Sequence, residues 1–385
     1  MEKGGFYTKL YTVGFGLMVV NRILDVSTII SIPDILIKFS IFLFLFFMII
    51  KLLHQSYTRI QLFTILALIC LTAYSSIRHN YFTLFYCTVA ATAIQSIDLK
   101  KLIKISATIK IILLSIHVIV YFATYLLEPS KITYVYRTDM VPRHYFFLGH
   151  ANTFTAFLVW VCIEYIYIYY EKIKYFHFVL IWVINVFFYQ FTDSNTGFIV
   201  ITGFLLCCFM EKMGIEKIMH FINFFSRYAF LIATLFSCTL VVLYTKLSGV
   251  GLEIYNAINE FFTGRLMYGA YAYEVHGISL FGRSLSFASK TYWRGHWMDG
   301  IIFDNSYLWF FVLYGAIYLV ILSALFIWMV PKVSYIEKII ICFWVFYGLT
   351  EAYIIDPFIC FPILFLGKYY YLSNSSPTLT LKNSR

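Results

Sequence analysis

Four short polar groups interrupt an otherwise apolar chain, and each carries side chains suited to holding an anion or moving a proton. The first runs from Arg143-His144 to Gly149-His150-Ala151-Asn152, which offers a turn, an imidazole and an amide at the mouth of a helix. The second is Asp193-Ser194-Asn195-Thr196-Gly197, where hydroxyls, an amide and helix N-terminal amides can converge on an anionic or sugar ligand. The third fills 249–303. It holds Thr263-Gly264-Arg265, then Tyr268, Glu274 and His276, then Phe281-Gly282-Arg283, and finally Trp293, Arg294, His296 and Trp297. The fourth is Asp304-Asn305-Ser306-Tyr307-Leu308. A guanidinium presents a planar fork to phosphate oxygens. Aromatic faces stack on sugar rings or sit at the headgroup level. A carboxylate can take the proton of a sugar hydroxyl.

Each of these residues also has a plainer reading. Asn152 can cap the helix it begins, and His150 can be a solvated terminal residue. The Asp193–Gly197 turn can be a polar hairpin, and the loop tryptophans can be interfacial anchors. Asp304 can pair with a loop arginine and do nothing more. Taken together, Arg143, His144, His150 and Asn152 point to an anion- or sugar-binding site. Glu253, Glu260, Glu274 and Asp299 offset the positive charge of the long segment, so it is not a simple polybasic lipid tether. Glu351 and Asp356, on the turn before the last apolar stretch, read as structural.

The elements that carry these groups must lie in a bilayer. Of the 385 residues 61% are hydrophobic and 12% charged, whereas a soluble domain carries about a quarter charged residues. A membrane leaves the backbone only helices or a closed barrel. The run 41–50, Ile-Phe-Leu-Phe-Leu-Phe-Phe-Met-Ile-Ile, is apolar on every face, which selects helices over alternating strands. The net charge of +10 is therefore read as topogenic and phosphate-facing, with no nucleic-acid partner. The eight cysteines fall in apolar stretches without metal spacing and read as small buried hydrophobes. The N-terminus lacks a cleavable signal pattern, so its first span is expected to stay as an anchor.

Windows of about 20 residues place spans near 10–30, 35–53, 61–77, 79–97, 107–127, 150–170, 177–192, 196–211, 228–248, 304–328, 337–351 and 355–373. Lys and Arg concentrate in alternate loops, among them Lys51, Arg59, Lys100, Lys101, Lys104, Lys110, Lys172, Lys174, Lys212 and Lys217. By the positive-inside bias this puts both termini in the cytoplasm. The chain then reads as one integral membrane domain, 1–385, with long extracytoplasmic loops at 128–149 and 249–303. No fixed-period repeat is visible.

The order Gly-His-Ala-Asn, Asp-Ser-Asn-Thr-Gly, Thr-Gly-Arg, Phe-Gly-Arg, then Asp-Asn-Ser-Tyr-Leu with Gly315 seven residues on, resembles the Wzy-type polysaccharide polymerases of bacterial capsule and O-antigen assembly. These are relatives of the O-antigen ligases. The resemblance covers the whole topology, from the many spans to the large late loop. It implies an all-α polytopic protein of about 12 transmembrane helices, glycosyltransferase-C-like, in the bacterial cytoplasmic membrane. The implied reaction is glycosyl transfer at the outer face. An undecaprenyl-pyrophosphate-linked glycan is the donor, and a sugar hydroxyl of another lipid-linked repeat unit is the acceptor. No cofactor, metal or nucleotide sugar is implied. Implied partners are membrane lipids, with a flippase and chain-length regulator proteins.

Carried over by position, Arg265 matches the loop arginine and is the first pyrophosphate ligand. Arg283 comes next, then Arg143 and His150, with Asn152, Asn195 and Asn305 as further substrate contacts. Asp304 stands where ligases carry a histidine, which favours polymerase and makes it the expected base, with His296 and His276 in reserve. Asn195 stands where many relatives have arginine, so part of the anion site is expected at Arg143 or Arg283. Two rival readings remain. One is a transporter of lipid-linked oligosaccharide, for which the intramembrane Glu164 is the main candidate residue. The other is a ligase that moves finished glycan.

Overall fold

The computed structural model describes residues 3–136, 140–261, 264–284, 291–294, 296–298, 304–372 and 379–380. Its helices are α1 (Lys3–Asp25), α2 (Asp34–Leu53), α3 (Arg59–His79), α4 (Thr83–Thr92), α5 (Leu99–Leu127), α6 (Ala151–Tyr169), α7 (Tyr175–Thr192) and α8 (Asn195–Lys212). They continue with α9 (Glu216–Tyr244), α10 (Val250–Phe261), α11 (Arg265–His276), α12 (Ser306–Leu308), α13 (Ala316–Met329), α14 (Tyr335–Gly348) and α15 (Leu364–Leu372). Among the described residues seven, α2, α3 and α5 to α9, are long and apolar enough to cross a membrane unaided. Phe39, Phe42, Phe46 and Ile49 of α2 are exposed, as are Phe176, Val179, Val183 and Phe187 of α7. Such helical stripes suit a lipid solvent and no aqueous one.

α6 runs through the middle of the bundle. Nearly all its side chains are buried, against α5, α7, α8 and α14. Small and hydroxylated residues let neighbours approach: a Cβ on Gly197 of α8 would stand 2.1 Å from the Thr155 methyl of α6.

Four stretches read as continuous spans, or as loop, take other forms. The segment expected to span 79–97 contains only α4, ten residues or about 15 Å, half the thickness of a hydrocarbon core of about 30 Å. Asn80, in the left-handed conformation, ends α3 ahead of it. At 355–373 the chain passes through short 3-10 turns before α15, because Pro357 and Pro362 withhold backbone donors. The stretch near 304–328 is broken between α12 and α13 by a π turn at Trp309–Tyr314 and by Gly315. The polar stretch 249–303 holds two 12-residue helices, α10 and α11, and a short ladder pairing Thr291–Trp293 with His296–Met298.

The break at Gly315 is filled by chain from that polar stretch. The amides of Ala316 and Ile317 donate to the carbonyls of Ser279 and Leu280, and the Arg283 amide donates to Leu313 O. Gly315 has φ +124°, and a Cβ there would lie 2.4 Å from Leu280 O. Gly282, φ +88°, faces it, with a Cβ position 2.7 Å from Tyr314 O. Backbone groups released by the irregular helix are thereby satisfied without water.

One charged residue leaves its expected place. Lys110, assigned to a cytoplasmic loop set, lies inside α5 with Nζ 2.6 Å from Glu164 Oε1, and both side chains are fully buried. Lys110 also donates to Ile359 O at 3.0 Å, serving the irregular stretch ahead of α15. Glu164 is thus a paired structural acid. The cysteines are free, and four are buried, but Cys70 is exposed on α3, so the expectation of buried thiols fails there.

The cross-links sort the helix ends into two sets. Residues near 25, 79, 150, 192, 244, 304 and 350 meet at one end, tied by contacts such as Arg22–Asp356, Thr28 N to Phe147 O, Arg143–Thr192 and Arg294–Tyr244. The opposite end carries Lys100–Glu171, Tyr170–Glu211, Lys338–Asn223 and Lys368–Glu337.

Candidate functional site

The first end of the bundle gathers five separate chain segments around one chain of polar contacts. Arg143 is held by a two-residue ladder in which Val135 faces Arg143 and Tyr136 faces Pro142. Neighbouring strand residues point to opposite sides, so Arg143 turns inward and His144 outward. The buried guanidinium of Arg143 donates from Nε to Thr192 O at 2.7 Å and from Nη2 to Asn152 Oδ1 at 2.6 Å. His144 instead meets the Tyr121 hydroxyl and sits among the rings of Tyr134 and Phe191.

Asn152 occupies the first turn of α6, yet it does not cap the helix. His150 does: its Nδ1 accepts the Asn152 amide at 3.1 Å. The Asn152 side chain is thereby left to link the cluster. Its Oδ1 also accepts from the Ser194 hydroxyl at 3.4 Å, and its Nδ2 donates to Glu351 Oε1 at 3.2 Å.

Glu351 lies between α14 and the following 3-10 turn, buried to 4% side-chain exposure. Asn305 and Ser306 hold its backbone. The Asn305 amide donates to Leu349 O at 2.9 Å, and the Ser306 hydroxyl donates to Glu351 O at 2.6 Å. Asn305 also caps α12 by accepting the amides of Tyr307 and Leu308. Arg265, first residue of α11, completes the set, with Nη2 3.5 Å from Glu351 Oε1 and Nε 3.3 Å from Asp304 Oδ2.

Burial pushes the Glu351 carboxyl up to about 8, with nearby Asp304 adding to the rise and Arg265 and Arg143 opposing it. Burial thus favours the protonated form of Glu351, which sets less negative charge against Arg265 and Arg143 than an ionised carboxyl would. Arg265 is largely enclosed at 13% exposure, while Asp304 stands at the rim at 39%. That arrangement suits an anion seated against Arg265 with a proton acceptor beside it.

Of the residues singled out from sequence, Arg265, Arg143, Asn152 and Asp304 come together. Asn305 supports them from beneath and His150 from the side. Asn195 turns away: it is exposed, and its Oδ1 accepts the Tyr189 hydroxyl at 2.7 Å. Its neighbour Ser194 takes the place expected for it. His276 sits at the far end of α11, about 16 Å along the helix from Arg265, with Arg283 beside it lowering its proton affinity in addition to burial. Arg283 donates to Ile278 O at 2.8 Å and belongs to the strand that fills the broken helix. Neither joins the cluster. Thr263 and the side chain of His296 lie outside the described residues.

Glu351, for which the sequence favours structure over a role as a base, holds the centre of these contacts. The available signal was its cost: an acid flanked by Leu349, Ile354 and Ile355 has to be paired or used. Among the described residues no group of three or more His, Cys, Asp or Glu side chains is arranged to hold a metal ion. The chain is a helical protein with several membrane-crossing helices and an enclosed Arg–Glu–Asn–Arg cluster at one end. Comparison with protein-family models, curated proteins and solved structures finds no match for it.

Proposed function

We propose that this chain is a membrane glycosyltransferase of the Wzy polymerase type, joining lipid-pyrophosphate-linked oligosaccharide units. The observation that carries the reading is that Arg265 and Asn152 meet on buried Glu351, Asn152 from 199 residues away, and bring Asp304 and Arg143 with them. Arg265, Asp304 and Asn152 belong to the motifs of the resemblance, and Arg143 is the further anion ligand expected beside them. In this reading the protein spans the bacterial cytoplasmic membrane about 12 times, counting the short and broken helices. Both termini are cytoplasmic, and the cluster faces outward beneath the 249–303 segment.

The acceptor hydroxyl oxygen attacks the anomeric carbon of the donor glycan, and the bond from that carbon to the pyrophosphate oxygen breaks. The electron pair leaves with the pyrophosphate, whose charge is taken up by Arg265 with support from Arg143. The hydroxyl proton passes to Asp304, the more exposed of the two carboxylates. Glu351 is a positioning residue: it holds Arg265 and Asn152 in one geometry.

The size distribution of lipid-linked glycan in cells lacking this protein tests the reading. Collapse to single undecaprenyl-linked units on the outer leaflet supports a polymerase. Persisting long lipid-linked chains indicate a ligase instead, and units held on the inner leaflet indicate transport. Arg265→Ala and Asp304→Ala should reproduce the deletion with normal amounts of protein in the membrane. Full-length polymer from both would overturn the site.

A further inference from the structure

One cavity beside the cluster has the lining of a carbohydrate subsite. It measures about 240 Å³ and is bounded by the end of α1, the α3–α4 turn, the start of the π turn and the irregular stretch after α14. Trp309 and Tyr81 form an aromatic wall, ring centroids 5.4 Å apart. Opposite them Arg22 Nε lies 2.6 Å from Asp356 Oδ2, while Arg22 Nη2 has no hydrogen-bond partner among the described residues. Asp25, exposed at the last residue of α1, and the Tyr353 hydroxyl complete the polar lining.

The cavity and the cluster share a wall. Tyr353 hydrogen-bonds Thr153 across it at 2.9 Å, and these residues stand two positions after Glu351 and one after Asn152. A ligand in the cavity would therefore lie against the Thr153–Tyr353 wall that backs the cluster. The cavity lining carries one arginine against two aspartates, Asp25 and Asp356.

The geometry points to a subsite for one sugar ring, bounded by Arg22, Asp25, Tyr81, Trp309, Tyr353 and Asp356, that admits an uncharged or amino sugar and rejects a uronic acid. This rests on the glycan-handling reading above and adds a substrate class to it. The aromatic wall stacks on the ring face. The aspartates accept hydroxyl or ammonium protons, and Arg22 holds Asp356 in place at the cavity wall. A sugar carboxylate would meet two like charges in a partly enclosed space. The negative lining also keeps the pyrophosphate from slipping into the ring chamber.

The test uses full-length protein in lipid nanodiscs and saturation-transfer NMR with N-acetylglucosamine, glucose and glucuronate, alongside binding of inorganic pyrophosphate. N-acetylglucosamine and glucose should receive saturation and glucuronate should not. Trp309→Ala should lose the sugar signal and still bind pyrophosphate, which shows that it is folded. Asp25→Asn, at an exposed helix end, should gain a glucuronate signal. Equal signals from all three sugars, or a sugar signal unchanged in Trp309→Ala, would overturn the subsite. Pyrophosphate binding without any sugar signal would sink the subsite and spare the Arg265 site. Sugar binding without pyrophosphate binding would do the reverse.

Discussion

Arg265 reaches Asp304 across 39 residues of chain, Nε to Oδ2 at 3.3 Å, at the point where the polar stretch rejoins the bundle. The pair closes that stretch like a clasp. Glu351 beneath it ties the clasp to the mouth of α6 through Asn152.

Asn152 and Asn195 separate the structural site from the sequence motifs. Asn152→Ala should remove the bridge between Arg143 and Glu351 and cost at least tenfold in polymer yield, about 1.4 kcal/mol. Asn195→Ala loses only an exposed contact to Tyr189 and should leave polymer length unchanged. Gel profiles of the glycan from the two variants decide it; equal defects would put Asn195 back in the site.

Protonation of Glu351 gives a pH dependence of known sign. Its folded value, about 8, stands above the ordinary 4.5. The folded state therefore holds the proton more tightly, and the stability this group contributes is complete below 4.5 and lost as pH rises through 8. Anion affinity should follow the same direction, because ionisation of Glu351 adds a negative charge beside Arg265. Calorimetry with pyrophosphate should show wild-type affinity falling several-fold between about pH 7 and about pH 9. Glu351→Gln should lose less over that range. The ligand's own titration is common to both proteins, so the difference between them isolates Glu351.

Gly315→Ala should be severely destabilising. The substitution puts a Cβ 2.4 Å from Leu280 O in a backbone with φ +124°, and neither the strand nor the broken helix can move alone. A loss of more than about 2 kcal/mol should show as a lower Tm in detergent and as release of the 277–284 stretch to proteolysis. An unchanged Tm would mean that the two segments are not packed as described.

The buried pair behaves as a unit. Lys110→Met leaves Glu164 uncompensated and should cost about 3–5 kcal/mol. The double variant Lys110→Met, Glu164→Leu should recover most of that and keep polymer synthesis. A double variant that folds but makes no polymer would give the pair a role in the chemistry.

The membrane class and the long helices were legible in residues such as 41–50, where no polar side chain leaves a choice. So were Arg143, Arg265 and Asp304, whose charge in an apolar chain demanded an explanation. Partners were not legible, because they are set by three-dimensional approach. His150 takes the cap expected of Asn152, and Ser194 the position expected of Asn195. Phe281-Gly282-Arg283 packs into the broken helix and away from the cluster, a placement set by one glycine facing another that no sequence spacing announces. The short α4 and the proline-rich path to α15 also escaped hydropathy windows, which count apolar residues and not backbone hydrogen bonds.

The burial of α6 on nearly every face bears on how the protein is made. A helix that ends with almost no lipid contact must nonetheless leave the insertion machinery into lipid, with Asn152 still lacking Glu351. Its covering helix, α14, and Glu351 emerge from the ribosome almost two hundred residues later. The polar contacts of the cluster can therefore close only once the chain has been made past residue 351. Nascent chains truncated before residue 351 should be ready clients for membrane chaperones, and full-length ones should not.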